Sequence, residues 1–263
     1  MDLQLKEKKA FISGSTQGIG FAIAQQLLNE GVAVTINGRY EDKTKEAKLK
    51  LQQQFPNATI SAISGDFSKK EEVDKLLSQI KDIDILINNV GIFEVKDFEN
   101  ISDEDWYNYF EINVMSSVRL SRQLLPNMLE NKWGRVVFIS SESGVNVPEN
   151  MIHYGMTKAA MSAIANGLSK LTKGTEVTVN TILGGPTYSG GVAHVVNHIA
   201  ESQNLNIDDV KNGIIQNSNP HILLQRFINP DEVASLVTYL SSPLSVATNG
   251  TSLRVDSGVL KTI

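Results

Sequence analysis

The sequence contains no cysteine in its 263 residues. A disulfide framework, a thiol nucleophile and a cysteine-ligated zinc site are therefore excluded, and the absence fits a reducing compartment. No apolar run reaches the roughly 18 residues that a membrane-spanning helix needs, and the first residues carry no apolar signal segment. We therefore expect a cytoplasmic protein that does not associate with membranes.

The sequence also lacks an excess of positive charge. Its formal net charge is -5, and its lysines and arginines are scattered along the chain. Nucleic acids and anionic membranes attract proteins that carry a basic patch, so neither is a predicted partner. A metal motif is missing as well: His194 and His198 are four residues apart, but no His-Glu-x-x-His pattern or obvious third ligand accompanies them. We therefore predict no metal site.

Short apolar segments alternate with helical segments along most of the chain. The strand-like segments are 10–13, 32–36, 59–63, 83–87, 135–139, 176–179 and 252–255, and the helical ones are 21–28, 41–54, 70–80, 103–130, 152–171 and 231–240. Strands separated by helices of this length imply right-handed crossovers and a parallel sheet. The sequence predicts an α/β fold: one doubly wound Rossmann domain of about seven strands, with helices on both faces.

The alternation breaks between Gly184 and Phe227, where Gly, Pro, Asn and Ser surround two helical patches at 192–200 and 208–216. A long excursion inside a compact domain is usually functional or disordered, and the apolar residues here favour an ordered segment. We predict a small helical substrate lid, inserted at about 187–227 into the single domain.

A glycine-rich turn stands between the first strand and the first helix, with its glycines in the pattern G-x-x-x-G-x-G. Without side chains the backbone can approach a pyrophosphate, and the positive end of the following helix attracts it. This position in a strand-turn-helix unit predicts a nucleotide cofactor. The candidate binding residues are Gly14, Ser15, Thr16, Gly18, Ile19 and Gly20.

The end of the second strand should distinguish the two nicotinamide cofactors, because an acid there binds a ribose 2′-hydroxyl and an arginine receives a 2′-phosphate. The strand ends at Asn37-Gly38-Arg39, and the first acid is Glu41. The guanidinium of Arg39 can hydrogen-bond a phosphate in two places, which favours NADP(H) over NAD(H). The alternative is a solvated surface arginine.

Tyr154 and Lys158 are one helical turn apart and therefore share a helix face. A cation near a phenol favours the phenolate and lowers its pKa, so we expect Tyr154 to exchange protons near neutral pH. The pair alone could equally be a solvated surface pair, because a Tyr-x-x-x-Lys spacing often occurs by chance.

In combination, these motifs resemble those of a classical short-chain dehydrogenase/reductase, and the resemblance extends from Ala10 to Gly258. The markers follow the family's order and spacing. They are the glycine turn from Gly14 to Gly20, Asp66, Asn88-Asn89-Val90-Gly91, Asn113, Ser141, Tyr154 and Lys158. The joint order and spacing are far more specific than any single marker.

The resemblance implies catalytic roles for four residues. Tyr154 would donate or accept the proton, and Ser141 would hydrogen-bond the substrate oxygen, with Ser140 and Ser143 as rival serines. Lys158 would also hold the nicotinamide ribose, and Asn113 would order a water molecule that relays protons to Lys158. An asparagine inside a helix is otherwise more often a local back-bond or kink.

The resemblance also implies further cofactor contacts. Asp66 and Phe67 would contact the adenine, Asn88, Val90 and Gly91 would lie along the cofactor, and Thr187 would contact the nicotinamide carboxamide. Two departures stand out. Val90 replaces the usual alanine, and Gly184-Gly185 replaces the family's Pro-Gly, with Pro186 one residue late, which loosens the loop before Thr187.

We therefore predict an NADP(H)-dependent oxidoreductase that transfers a hydride between nicotinamide and a small carbonyl or secondary alcohol substrate, as a 3-oxoacyl reductase or another ketone reductase does. The alternatives are an NAD-dependent alcohol dehydrogenase of the same family and a non-catalytic NADPH-binding sensor or scaffold. The resemblance further implies a homo-oligomer, either a tetramer or a dimer. The substrate itself has no readable code in the sequence.

Overall fold

The computed structural model describes residues 2–261. Within them, seven strands form one parallel sheet in the order β3-β2-β1-β4-β5-β6-β7. The strands are β1 (Lys9–Ile12), β2 (Ala33–Gly38), β3 (Ile60–Ser64), β4 (Ile85–Asn88), β5 (Trp133–Ser141), β6 (Glu176–Gly184) and β7 (Ser252–Val255). The order reverses between β1 and β4, which confirms the predicted doubly wound Rossmann domain.

Helices cover both faces of this sheet. They are α1 (Gly18–Asn29), α2 (Glu41–Gln54), α3 (Lys70–Gln79), α4 (Asp103–Tyr109), α5 (Ser116–Glu130), α6 (Ile152–Ser169), α7 (Gly190–Gln203), α8 (Ile207–Ser218) and α9 (Pro230–Ser241). Alternate residues of a strand point to opposite faces, so Ile12 packs in the cluster under α1 and α9, while Phe11 packs in the cluster under α3, α5 and α6.

The long helix predicted over 103–130 is interrupted by a π-helical turn, Phe110–Met115. Asn113 lies in this turn, and its amide bonds both backbone groups of Ile92: Oδ1 accepts from the Ile92 N–H at 2.7 Å, and Nδ2 donates to the Ile92 carbonyl at 3.0 Å. Single π turns inside α-helices are frequent at functional sites. Here the turn fastens the helix to the loop that follows β4.

Strand β6 extends five residues beyond the predicted segment, to Gly184. Polar residues in the extension hid it from the apolar pattern. Asn180 and Thr181 are buried, and the Asn180 Nδ2 donates to the Thr248 carbonyl at 2.6 Å. Gly184 pairs with Ser141 of β5 and with Val255 of β7, so three strand ends meet at one edge of the sheet.

The segment after β6 contains the two predicted helices, α7 and α8. Their apolar sides share a small cluster that contains Val196, Ala200 and Val210. The chain enters and leaves this segment through one parallel bridge, between Thr187 and Ile228. No helix within residues 2–261 is both long and apolar enough to cross a membrane.

Candidate functional site

A cavity of about 1110 Å³ opens at the carboxyl ends of the strands, where open α/β sheets bind their ligands. The structure brings most of the predicted site residues into its wall. These are Gly14, Thr16, Gly18, Ile19, Arg39, Asp66, Phe67, Val90, Gly91, Ser141, Tyr154, Lys158 and Thr187. The other four predicted residues, Ser15, Gly20, Asn88 and Asn113, lie behind the wall.

Ser15 and Gly20 shape the glycine turn from behind. The Ser15 backbone N–H donates to the Asn37 carbonyl at 2.7 Å, and its hydroxyl donates to the Ile12 carbonyl at 2.7 Å. A Cβ on Gly20 would lie 2.6 Å from the Gly14 carbonyl oxygen. Ser15 therefore fixes the turn against β1 and β2, and Gly20 leaves the space that the backbone of the turn occupies.

The two neighbouring asparagines after β4 point to opposite sides. Asn88 is buried and its Nδ2 donates to the Ser121 hydroxyl at 3.3 Å, whereas Asn89 lines the cavity. The Asn89 amide donates to the carbonyls of Ser13 and Gly14, at 3.1 and 2.7 Å, and so holds the glycine turn. Strand alternation is the signal that could have placed Asn89 here.

The shape of the wall fits a dinucleotide. Gly18 has φ +58, a conformation that favours glycine, and a Cβ there would lie 3.3 Å from Ser189. It is also the first residue of α1. The first N–H groups of a helix have no partner inside the helix and are oriented to bind an anion. A Cβ on Gly91 would lie 3.3 Å from the Lys158 Nζ. Added side chains would therefore fill this cradle.

Arg39 stands at the adenosine end of the cavity, directly after β2. Its side chain is exposed, and its Cζ lies 4.5 Å from the centroid of the Tyr40 ring. No carboxylate within residues 2–261 forms an ion pair with it, so the guanidinium is available to a phosphate. Nearby, the Asp66 carboxylate accepts bonds from the N–H and hydroxyl of Ser68, and the Phe67 ring is buried in the core.

Ser141 and Tyr154 meet at the nicotinamide end expected for such a cofactor. Ser141 is the last residue of β5, and its hydroxyl interacts with the Tyr154 phenol. The rival serines are engaged elsewhere: the Ser140 hydroxyl donates to the Lys158 carbonyl at 2.8 Å, and the Ser143 hydroxyl donates to Glu142 at 2.9 Å. Of the three serines, Ser141 is the one whose hydroxyl meets the Tyr154 phenol, and its Oγ also accepts from the Ser143 N–H at 3.1 Å.

Lys158 lies one turn after Tyr154 on α6, as the spacing predicts. Its Nζ is 5.5 Å from the centroid of the Tyr154 ring and donates to the Ile139 carbonyl at 2.9 Å. The ammonium thus faces the end of β5 rather than the phenolic oxygen. The ring of Phe93 packs edge-on against the ring of Tyr154, with the two ring centroids 6.3 Å apart.

The expectation that Lys158 lowers the pKa of Tyr154 is wrong. Burial raises the pKa of Tyr154 to about 12; the Ser141 hydroxyl opposes this rise, and the charge of Glu142 adds to it. Burial also lowers the pKa of Lys158 to about 8. Desolvation disfavours the charged form of both groups and is the largest cause of each shift.

Asn113 is fully buried, and its side-chain hydrogen bonds within residues 2–261 do not include Lys158. Besides its bonds to Ile92, its Nδ2 donates to the Thr157 hydroxyl at 3.0 Å. Thr157 precedes Lys158 on α6. Asn113 therefore connects the π turn, the loop after β4 and the helix that carries Tyr154 and Lys158.

The unusual Gly184-Gly185 pair is explained at its second position only. A Cβ on Gly185 would lie 2.8 Å from the Cα of Asp256, whereas the nearest atom to a Cβ on Gly184 would be the Ser140 carbonyl oxygen, at 3.8 Å. Beyond the pair, Thr187 is buried, and its hydroxyl donates to the Gly185 carbonyl at 2.9 Å. The loop is held to β7 by the bond from the Gly185 N–H to the Val255 carbonyl at 3.0 Å, and the carbonyl of Pro186, one residue later than in the family, accepts from the Ile228 N–H at 2.8 Å.

The sequence did not identify several residues of the wall. Gln17 meets the start of α7, where a Cβ on Gly190 would lie 2.7 Å from its Cδ, and Phe93 and Glu142 stand beside Tyr154. None has a motif of its own. His194 and His198 are exposed on α7, and no group of three or more potential metal ligands occurs within residues 2–261.

Known proteins share both the sequence and the fold. Residues 8–199 match the family described as short chain dehydrogenase. An uncharacterized oxidoreductase, YvaG of Bacillus subtilis (strain 168), is 41% identical over 263 residues and covers 100% of both chains. The 3-oxoacyl-acyl-carrier-protein reductase FabG of Aquifex aeolicus (strain VF5) is 28% identical and covers 98% of this chain and 100% of its own. The crystal structure of L-sorbose reductase from Gluconobacter frateurii, complexed with NADPH and L-sorbose, has a TM-score of 0.92 at 28% identity and covers 100% of both chains.

Proposed function

Because the chain belongs to the short-chain dehydrogenase family, we propose that it is an NADP(H)-dependent carbonyl reductase, or the reverse alcohol dehydrogenase. One observation carries the proposal: Ser141, Tyr154 and Lys158 converge at one end of a cavity whose other end holds the glycine turn and Arg39. The similarity to a reductase that binds NADPH supports the same cofactor.

Different residues of the wall bind different parts of the cofactor. The N–H groups at the start of α1 receive the pyrophosphate, and the free guanidinium of Arg39 receives the 2′-phosphate. Asp66 and the loop from Val90 to Gly91 border the adenosine half, while Lys158 and Thr187 hold the nicotinamide half. Bound NADPH supplies the hydride, and the protein positions the carbonyl carbon to receive it.

Tyr154 is the proton donor in the reductive direction. With a pKa of about 12 it is protonated at neutral pH, and the negative charge that develops on the substrate oxygen makes that oxygen a strong base. Ser141 hydrogen-bonds the same oxygen and stabilises the developing charge. The Lys158 ammonium does not bond the phenolic oxygen, but at 5.5 Å from the centroid of the Tyr154 ring its charge favours the phenolate that remains.

The segment 187–227 serves as the substrate lid. Its first helix starts against the glycine turn, where Gly190 packs on Gln17, and Asn217 of its second helix reaches the cavity wall. We further propose that the protein works in the cytoplasm as a homo-oligomer. Size-exclusion chromatography with light scattering tests the assembly, and a monomer at micromolar concentration would refute it.

NADPH oxidation at 340 nm against a panel of ketones tests the proposed function, with Tyr154→Phe as the comparison variant. We expect wild-type turnover that the substitution reduces by about 100-fold or more, as for the loss of a general acid. Turnover that survives the substitution would contradict the assignment of Tyr154. Tight NADPH binding without turnover of any ketone would instead favour a sensor or scaffold, and an equal preference for NADH would refute the cofactor assignment.

A further inference from the structure

Glu142 is a buried acid that the proposed reaction does not use. It follows Ser141 in a short 3-10 turn, Glu142–Gly144, and only 9% of its surface is exposed. The backbone holds it in place, because its carbonyl accepts bonds from the N–H groups of Val145 and Asn146, at 2.9 and 3.0 Å. A long acidic side chain in such a position is rarely buried unless it has a partner.

One of its two carboxyl oxygens lacks a partner. Oε1 accepts a bond from the Ser143 hydroxyl at 2.9 Å, whereas Oε2 has no hydrogen-bond partner within residues 2–261. Oε2 is still accessible to solvent, and Glu142 lines the cavity. A hydrogen-bond acceptor therefore remains open toward the substrate space.

This acceptor lies next to the reacting groups. Glu142 directly follows Ser141 and lines the same cavity as Tyr154, and its charge raises the pKa of the Tyr154 phenol. Burial and the charge of Asp256 raise the pKa of Glu142 itself, while the Ser143 hydroxyl lowers it. Either protonation state of a carboxyl retains an oxygen that can accept a hydrogen bond.

The cavity that Glu142 lines has other polar side chains in its wall. Asn146 and Asn150 line the cavity from the loop after β5, and Asn217 and Asn219 line it from the end of α8. Apolar side chains such as Val147, Met151 and Val192 also line it, so the wall is mixed, whereas a pocket for an alkyl or acyl chain would be lined mainly by apolar groups. The arrangement suits a small substrate that carries hydroxyl groups.

We propose that Glu142 is a specificity residue that accepts a hydrogen bond from a substrate hydroxyl beside the carbonyl, so that the enzyme prefers hydroxyketones to simple ketones. This inference rests on the proposed reductase function and assigns its substrate class. A site built to bond a hydroxyl disfavours the analogue that lacks it, because the buried acceptor then loses its partner.

Two substrates that differ by one hydroxyl test this. Acetoin is butan-2-one with a hydroxyl on the carbon next to the carbonyl, so we compare kcat/KM for the two with NADPH as cofactor. We expect wild-type protein to favour acetoin by about 10-fold or more. Glu142→Ala should bring the ratio close to one, chiefly by lowering kcat/KM for acetoin, and Glu142→Gln should retain part of the preference, because its amide oxygen still accepts.

Glu99→Gln, which changes an exposed carboxylate outside the cavity, is the matched control and should keep the wild-type ratio. Thermal melting and NADPH titration establish that each variant folds and binds cofactor. A ratio that Glu142→Ala leaves unchanged, or an equal loss on both substrates, would overturn the inference alone. A wild-type protein that binds NADPH but reduces neither these nor any other ketone would overturn the proposed function and the inference with it.

Discussion

The two adjacent glycines at the end of β6 should respond in opposite ways to alanine. A Cβ on Gly185 would lie 2.8 Å from the Asp256 Cα and 3.0 Å from the Asp256 carbonyl oxygen. Both are backbone atoms, and Asp256 is held by bonds from the N–H groups of Gly258 and Leu260 and by Arg254. The clash therefore cannot be relieved by rotating a side chain.

The size of the effect follows from this geometry. Overpacking of one carbon into a filled site costs typically 1 to 3 kcal/mol, so we take about 2 kcal/mol for Gly185→Ala. For a chain of this size, each kcal/mol corresponds to roughly 2 to 4 °C in Tm, which gives a loss of roughly 4 to 8 °C. Gly184→Ala meets nothing closer than 3.8 Å and should be neutral or stabilising by about 0.4 to 1 kcal/mol.

Differential scanning calorimetry of the two variants beside wild type measures this difference. NADPH titration adds a second readout, because Gly185 also positions the loop that carries Thr187. The packing explanation predicts a lower Tm and weaker NADPH binding for Gly185→Ala. Equal melting temperatures for the two variants would refute it.

Two further predictions concern charged groups. Arg39→Ala should weaken NADPH binding by about 10-fold or more while NADH binding stays within about twofold, since only NADPH carries the phosphate that the guanidinium would bond; equal losses for both cofactors, measured by fluorescence titration, would contradict this. Glu232 caps α9 by accepting from the Asn229 N–H at 2.7 Å, and its ion pair with Arg226 lowers the pKa of Glu232 to about 2. Its folded pKa lies below the unfolded one, so its contribution is complete above about pH 4.5 and is lost as pH falls toward 2. Glu232→Gln keeps an acceptor for the Asn229 N–H but loses the charge that pairs with Arg226, so it should lower Tm by roughly 1 to 4 °C at pH 7, the value of a solvent-screened ion pair, and by progressively less in acid; a Tm difference independent of pH would refute this.

The sequence predicts the framework of this protein well because its signals are local and periodic. Helix α2 occupies the predicted residues 41–54, and β7 occupies the predicted 252–255. The first was indicated by a polar, lysine-rich segment after a strand, and the second by a short strand-like segment near the end of the chain. The extension of β6 to Gly184 escaped prediction because buried polar residues such as Asn180 find their partners far along the chain, at Thr248. Such pairings leave no local pattern.

In the site, too, local motifs are predictable from the sequence and long-range contacts are not. The spacing of the motifs predicted that Ser141, Tyr154 and Lys158 lie together, and all three line one cavity. The spacing could not give the direction of the pKa shifts of Tyr154 and Lys158, because burial decides it. The interruption of the helix at Asn113 depends on its bonds to Ile92, and the place of Glu142 depends on the fold of a short turn. Neither residue belongs to a pattern that announces such contacts.

Transfer of a label from cofactor to substrate tests the central claim most directly. The protein is incubated with acetoin and NADPH that carries deuterium at the transferable C4 position, and the alcohol product is analysed by mass spectrometry. A carbonyl reductase with Tyr154 as proton donor should give a product with one deuterium on the former carbonyl carbon, and Tyr154→Phe should form at least about 100-fold less of it. An unlabelled alcohol, or labelled alcohol formed equally fast by Tyr154→Phe, would contradict the account.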